Sequence, residues 1–74
     1  MSDSEYFVLI RPGDATREVE KALRDLRLPP EAAGLHRHFF VTRARQTVVM
    51  ATGPDAPISA RLMARGWSVP GTDA

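Results

Sequence analysis

Two histidines, His36 and His38, stand two residues apart near the middle of the chain. On an extended strand that spacing puts both imidazoles on one side, with Cα atoms about 6.5–7 Å apart, within reach of one metal ion. Zinc needs three or four such ligands. The chain has 2 histidines and 0 cysteines, and the nearest acid in sequence is Glu31. The pair therefore reads as two polar residues at the start of a strand, and no metal is expected. The lack of cysteine also excludes a disulfide framework, a thiolate site and a thiol nucleophile.

Other chemistry is equally thin. Arg11-Pro12-Gly13-Asp14 leads from a strand into a helix, where backbone N–H groups can gather around an anion. It holds a single glycine and lacks the Gly-x-x-x-x-Gly-Lys-Ser/Thr pattern of a phosphate loop, so Asp14 reads as a helix cap. Ser59 falls inside a helix and Ser68 stands beside Trp67, with no His and Asp arranged to serve either. An enzyme needs a pocket that excludes water and positions several groups. In 74 residues such a pocket can form only between subunits. Neither catalysis nor a cofactor is expected.

Arginine is the more informative residue. Ten bases and nine acids give a net charge of +1, but the two parts of the chain differ. Residues 1–31 hold seven acids and five bases, whereas residues 32–74 hold two acids and five bases. Between Ala32 and Pro54 there is no acid, while Arg37, Arg43 and Arg45 fall there with both histidines. Such a stretch can steer an anionic partner. Guanidinium is also suited to oxyanions. Arginine beside many alanines is equally what a GC-rich bacterial or phage genome writes by default.

The elements that must carry these residues are legible from pattern. Residues 6–10 are continuously apolar and β-branched or aromatic, a strand covered on both faces, stopped by Arg11-Pro12-Gly13. Residues 15–26 place Ala15, Val19, Ala22, Leu23 and Leu26 on one helical stripe, with Glu18 and Glu20 on the outer face. Asp14 or Thr16 caps this helix, and Pro29-Pro30 ends it. Residues 31–34 connect to a second strand at 35–43, a hairpin turn at 43–46 and a third strand at 47–51. A second helix at 58–65 is capped by Asp55 and ended by Gly66 in the left-handed conformation. Trp67-Ser68-Val69 leaves room for one short strand. Residues 1–4 and 71–74 are expected to fray.

The resulting order, βαββα with a short final β, implies a single α+β domain over residues 1–74. Its expected plan is ferredoxin-like, an antiparallel sheet with two helices on one face. The acidic start is the wrong sign for a signal peptide. The longest apolar run, residues 6–10, falls far short of the ~20 needed to cross a bilayer. The expectation is a soluble cytoplasmic protein with no membrane partner.

Both faces of this sheet are apolar. Alternation puts Tyr6, Val8 and Ile10 opposite Phe7 and Leu9; Phe39 and Val41 opposite Phe40; and Val48 and Met50 opposite Val49 and Ala51. Two short helices cover one face only. Covering even ~400 Å² of the other is worth about 10 kcal/mol before association costs. The expected function is thus a small non-enzymatic interaction module: a homodimer, or one bound to a protein partner. Tyr6, Phe39 and Phe40 would supply apolar contact, and Arg37, Arg43 and Arg45 orientation. The alternatives are nucleic-acid binding through the basic hairpin, or a small-ligand sensor or cofactor-free enzyme with its pocket between subunits. The third strand, Thr47-Val48-Val49-Met50-Ala51, lacks the aromatics of a nucleic-acid stacking sheet.

Overall fold

A computed structural model describes residues 7–36 and 39–70. Strand β1 (Phe7–Pro12) is followed by helix α1 (Thr16–Leu26), a one-turn helix α2 (Pro30–Ala33), strands β2 (Phe40–Val41) and β3 (Gln46–Ala51), and helix α3 (Pro57–Ala64). The strands form a three-stranded antiparallel sheet in the order β1-β3-β2, packed with α1 and α3.

The β1–β3 ladder sets the two faces of the sheet. Its register pairs Leu9 with Val49, Phe7 with Ala51 and Arg11 with Thr47. Leu9, Thr47, Val49 and Ala51 are buried, and the apolar members join Val19 and Ala22 of α1, Ile58 and Leu62 of α3, and Trp67 in one core. Strand β1 runs through Arg11 and Pro12 rather than stopping at Ile10. Ile10 exchanges both backbone bonds with Ser68, at 2.9 and 3.0 Å. The nitrogen of Pro12, two residues on, lies on that same edge, so its missing N–H costs the β1–β3 ladder nothing. The 67–69 segment contributes one bridge, Ile10 to Ser68, in place of a regular strand.

The turn from β1 into α1 is fastened to β3 by a buried hydroxyl. Thr47 Oγ1 donates to the Gly13 carbonyl at 2.8 Å and accepts the Ala15 N–H at 2.7 Å. Gly13 N–H in turn donates to the Arg45 carbonyl at 2.6 Å. Asp14 Oδ1 accepts both the Thr16 N–H and the Thr16 hydroxyl, at 3.1 and 2.6 Å, but Ala15 holds the cap position of α1 with no side-chain cap bond, so neither Asp14 nor Thr16 is the cap the sequence leads one to expect.

Several expectations are corrected. Helix α1 ends at Leu26, closed by Arg27 in the left-handed conformation at φ 57°, and Pro29-Pro30 opens α2. Pro30 occupies a first-turn position, where an N–H would be unpartnered anyway, and Gly34 closes that turn at φ 89°. A Cβ at Gly34 would overlap the Ala56 Cβ. The second strand is two residues long. Leu35 pairs with Ala51 and Phe40 with Val48, so the β2 side advances five residues while β3 advances three, and the ladder breaks between them. Asp55 does not cap α3. Ala56 holds that position, and the buried Ser59 hydroxyl donates to the Gly53 carbonyl at 2.7 Å. Gly66 is left-handed as expected, at φ 93°. Gly66 N–H reaches the Met63 carbonyl and Trp67 N–H the Leu62 carbonyl, a Schellman ending. Leu23 is half-buried, and the buried α1 positions are Val19 and Ala22.

Glu18 does not point to open solvent. Its Oε1 accepts the buried indole N–H of Trp67 at 2.8 Å and lies 3.3 Å from Arg11 Nε, and its Oε2 lies 3.4 Å from Arg65 Nε. One carboxylate on α1 thus holds β1, the end of α3 and the last segment together.

Replacing Thr47 with valine keeps the volume but leaves the Gly13 carbonyl and the Ala15 amide without their partner. Thr47→Val is expected to cost about 1–3 kcal/mol in urea unfolding. Thr42→Val, which removes one 3.2 Å bond to the Gln46 amide at a half-buried position, should cost less than about 1 kcal/mol. Equal losses would contradict the role given to Thr47.

Candidate functional site

The face turned away from the helix core is built by the same register. Ile10 lies opposite Val48, and Val48 opposite Phe40, giving an apolar row across all three strands. Val8 lies opposite Met50 in the next row. Val8, Ile10, Val48 and Met50 are half-buried, and none belongs to the core cluster. Phe40 is 43% exposed. Polar residues edge this surface: Ser68 beside Ile10, Gln46 opposite Pro12, and His36, whose N–H donates to the Met50 carbonyl at 2.7 Å.

This arrangement settles which of the two apolar faces is the open one, and it divides the two phenylalanines. Phe40 stands on the open face. Phe39, expected beside it as a contact residue, packs partly buried against the core and is removed from the surface. Trp67 is also committed to the core at 5% exposure and does not fold over the open face. Tyr6, Arg37 and His38 lie outside the described residues. Val8, Ile10, Val48 and Met50 form the centre of the surface. Alternation alone placed them on a common face, but it did not tell which face the helices take.

The basic residues sit at one end of the sheet. Thr42 N–H donates to the Gln46 carbonyl at 2.8 Å and Arg45 N–H to the Thr42 carbonyl at 2.9 Å, closing a tight hairpin over residues 42–45. Arg45 is left-handed, at φ 65°, as the last residue of such a turn requires. Arg43 and Arg45 are exposed. The Gly13–Arg45 bond places this tip against the start of α1. There the Thr16 hydroxyl and amide, and then the charges of Arg45 and Arg17, hold the Asp14 carboxyl below its ordinary pKa. Asp14 thus occupies the helix start where an anion would otherwise sit.

Other charges meet between α1 and α3. A small cleft between α1 and α3 is lined by Glu18, Lys21, Asp25, Arg61 and Arg65. Lys21 and Arg61 both approach Asp25, at 3.6 and 3.9 Å. Among the described residues, no three His, Cys, Asp or Glu side chains converge on a point that could hold a metal ion. No described helix is long and apolar enough to cross a membrane. Comparison with protein-family models, curated proteins and solved structures finds no match to this chain.

Because the folded state lowers the Asp14 pKa, its contribution to stability is complete above the unfolded carboxylate value. It fades as pH falls through the lower folded value. Asp14→Ala is expected to lower the melting temperature by a constant amount from about pH 5 upward, with the difference narrowing below about pH 4. Melting curves across that range check this. A difference that does not change with pH would mean that the ionised carboxylate is not what matters.

Proposed function

We propose that this protein is a small non-enzymatic interaction module that pairs with a second copy of itself through the open sheet face, the arginine hairpin orienting the encounter. The observation that carries the reading is the unbroken apolar row Ile10–Val48–Phe40, backed by Val8 and Met50, on the face without helices. An antiparallel sheet with one solvated face ordinarily alternates apolar with polar residues. Here the polar residues among those described are confined to the edges. A twofold axis makes such a surface its own complement.

The fold fits the ferredoxin-like plan. With Ser68 standing for a fourth strand, the order across the sheet becomes Ser68, β1, β3, β2, each neighbour antiparallel. On this reading α2 is an added turn between α1 and β2.

Size sets the strength of the pairing. The two six-residue strands span ~20 Å and lie ~4.8 Å apart, and with the two-residue β2 beside them each copy has a face of a few hundred Å² at most. A pair then buries less than the roughly 1,200–2,000 Å² of a standard stable interface. The dimer is therefore a reversible one, with a dissociation constant in the micromolar range, about 8 kcal/mol of binding. The basic hairpin also suits a polyanion. Against nucleic acid as the main partner stands the open face itself, where Phe40 is the only aromatic residue among those described.

Sedimentation over roughly 1–100 μM, bracketing the expected constant, should carry the mass from that of one 8.2 kDa chain toward twice that value. Val48→Glu, which sets a charge in the middle of the row, should remain monomeric throughout. Phe40→Ser, at an exposed position, should weaken pairing with a melting curve close to that of the unaltered chain. A chain that stays monomeric over the whole range would overturn the proposal.

A further inference from the structure

Two hollows adjoin along the seam between α1 and α3, and Arg61 lines both. The first is the charged cleft, of about 40 Å³, with the buried Ala22 as its floor. Lys21, Arg61 and Arg65 line it with the two carboxylates Glu18 and Asp25. Glu18 is fully engaged, its Oε1 by Trp67 and Arg11 and its Oε2 by Arg65. Asp25 holds Lys21 and Arg61 only loosely, at 3.6 and 3.9 Å, and all three are exposed. Exposed pairs of this kind are weak, so either base can turn to a stronger acceptor. Arg65 spends its Nε on Glu18, and the other N–H groups of Arg61 and Arg65 form no hydrogen bond to the described residues. The second hollow is shallow and apolar, lined by Leu26, Pro57, Ala60 and Ala64 beside Arg61.

We infer that this seam binds a small phosphate monoester with an apolar body. The phosphoryl group enters the cleft on Lys21, Arg61 and Arg65, and the body lies over Leu26, Pro57, Ala60 and Ala64. A cleft in which bases outnumber acids suits a doubly charged group, and paired guanidinium N–H groups match two phosphate oxygens at once. Arg61 and Arg65 stand one turn apart on α3, with Lys21 across the seam on α1, so donors reach a tetrahedral group from more than one side. A planar carboxylate would satisfy one guanidinium and leave the other bases unused. The cleft has room for the head of a ligand alone. Because the apolar hollow begins at the same Arg61, whatever is attached to that head lies on apolar surface. The seam lies in the helix layer and shares no residue with the open sheet face, so its occupancy does not depend on pairing.

Trp67 is the chain's 1 tryptophan, and its indole N–H rests on Glu18 beside the cleft, so its indole resonance reports on the site. The test titrates phenyl phosphate and inorganic phosphate separately, at constant ionic strength, into the ¹⁵N-labelled full chain. Saturable shifts are expected at the Trp67 indole and at the amides of Ala22, Arg61 and Arg65, with phenyl phosphate bound several-fold more tightly. Lys21→Gln with Arg61→Gln should weaken both ligands by about tenfold or more. Both positions are exposed, and the melting curve should change little. Ala60→Gln, which fills the hollow, should remove the advantage of phenyl phosphate and leave inorganic phosphate unaffected. Arg17→Gln with Arg24→Gln removes the same charge from α1 outside the cleft and should leave both affinities within about twofold, since salt screens charges at that distance. Equal weakening by the two double variants would mean that net charge alone gathers the anion, and would overturn the site, as would the lack of any saturable shift. Equal affinity for the two ligands would overturn the apolar body. Co-sedimentation with vesicles of phosphatidylcholine and phosphatidic acid, without a response to phenyl phosphate, would put the phosphate on a bilayer and overturn the small-molecule ligand.

Discussion

The hydroxyl of Thr47 stands where three parts of the chain meet. It is fully buried and uses both its donor and its acceptor, on the Gly13 carbonyl and the Ala15 amide. Without it, the tight turn out of β1 would place two backbone groups against the core unpaired, at the cost that any buried polar group carries. With it, the chain leaving β1 is turned back over one particular face of the sheet. Once α1 starts there, Val19 and Ala22 fall onto Leu9 and Val49, and α3 completes the layer through Ile58 and Leu62. The choice of covered face therefore follows from where Thr47 points, and the open face is what this choice leaves.

A chain of this size has no material for a second layer. Small domains bury a modest fraction of their surface and are only marginally stable. Here Trp67, the largest apolar side chain, is already spent on the helix side, where its indole N–H is held by Glu18. The same carboxylate draws in Arg11 and Arg65, so the last segment is bound to α1 by a cluster of hydrogen bonds and charges as well as by packing. Two guanidinium groups share one half-buried carboxylate, so one positive charge at that point stays uncompensated by Glu18.

Sequence pattern made much of this visible, and the residues that escaped it escaped for identifiable reasons. The α1 stripe, the β3 alternation and the left-handed Gly66 are local signals, and each appears where its residues put it. The two-residue β2 is not local: it depends on a register change against β3, which a run such as Phe39-Phe40-Val41 gives no hint of. Pro29-Pro30 is ambiguous by nature, since proline suits the stop of one helix and the first turn of the next; here it opens α2, and α1 is closed earlier by Arg27. Glu18 was placed among surface charges because helical periodicity sees only α1. Its partners come from residues 47 and 49 positions further along. Phe39 and Phe40 were grouped by composition although alternation had already parted them. Of the site, the apolar character of both faces was readable, but the identity of the open one required the buried Thr47 to be located.

The hairpin poses a separate question: whether its arginines are there for their charge. Arg45 holds a left-handed conformation in which glycine or asparagine would be less strained, and residues in such regions cost of order 1–3 kcal/mol. Taken alone, that cost would argue that the side chain is retained for a purpose. Arg27 weakens the inference, because it adopts the same conformation, φ 57°, at the end of α1, where its N–H bonds to the Leu23 and Arg24 carbonyls account for the geometry without reference to its side chain. Arginine in a left-handed turn is therefore something this chain tolerates twice. Position is what sets Arg45 apart. With Arg43 it lies at the end of the open apolar face, tied to the start of α1 through Gly13, whereas Arg27 lies in the helix layer, away from that face. A strained backbone is tolerated in both places, but only in the hairpin does it present charge along the edge of a surface that has nothing of its own to cover it among the described residues.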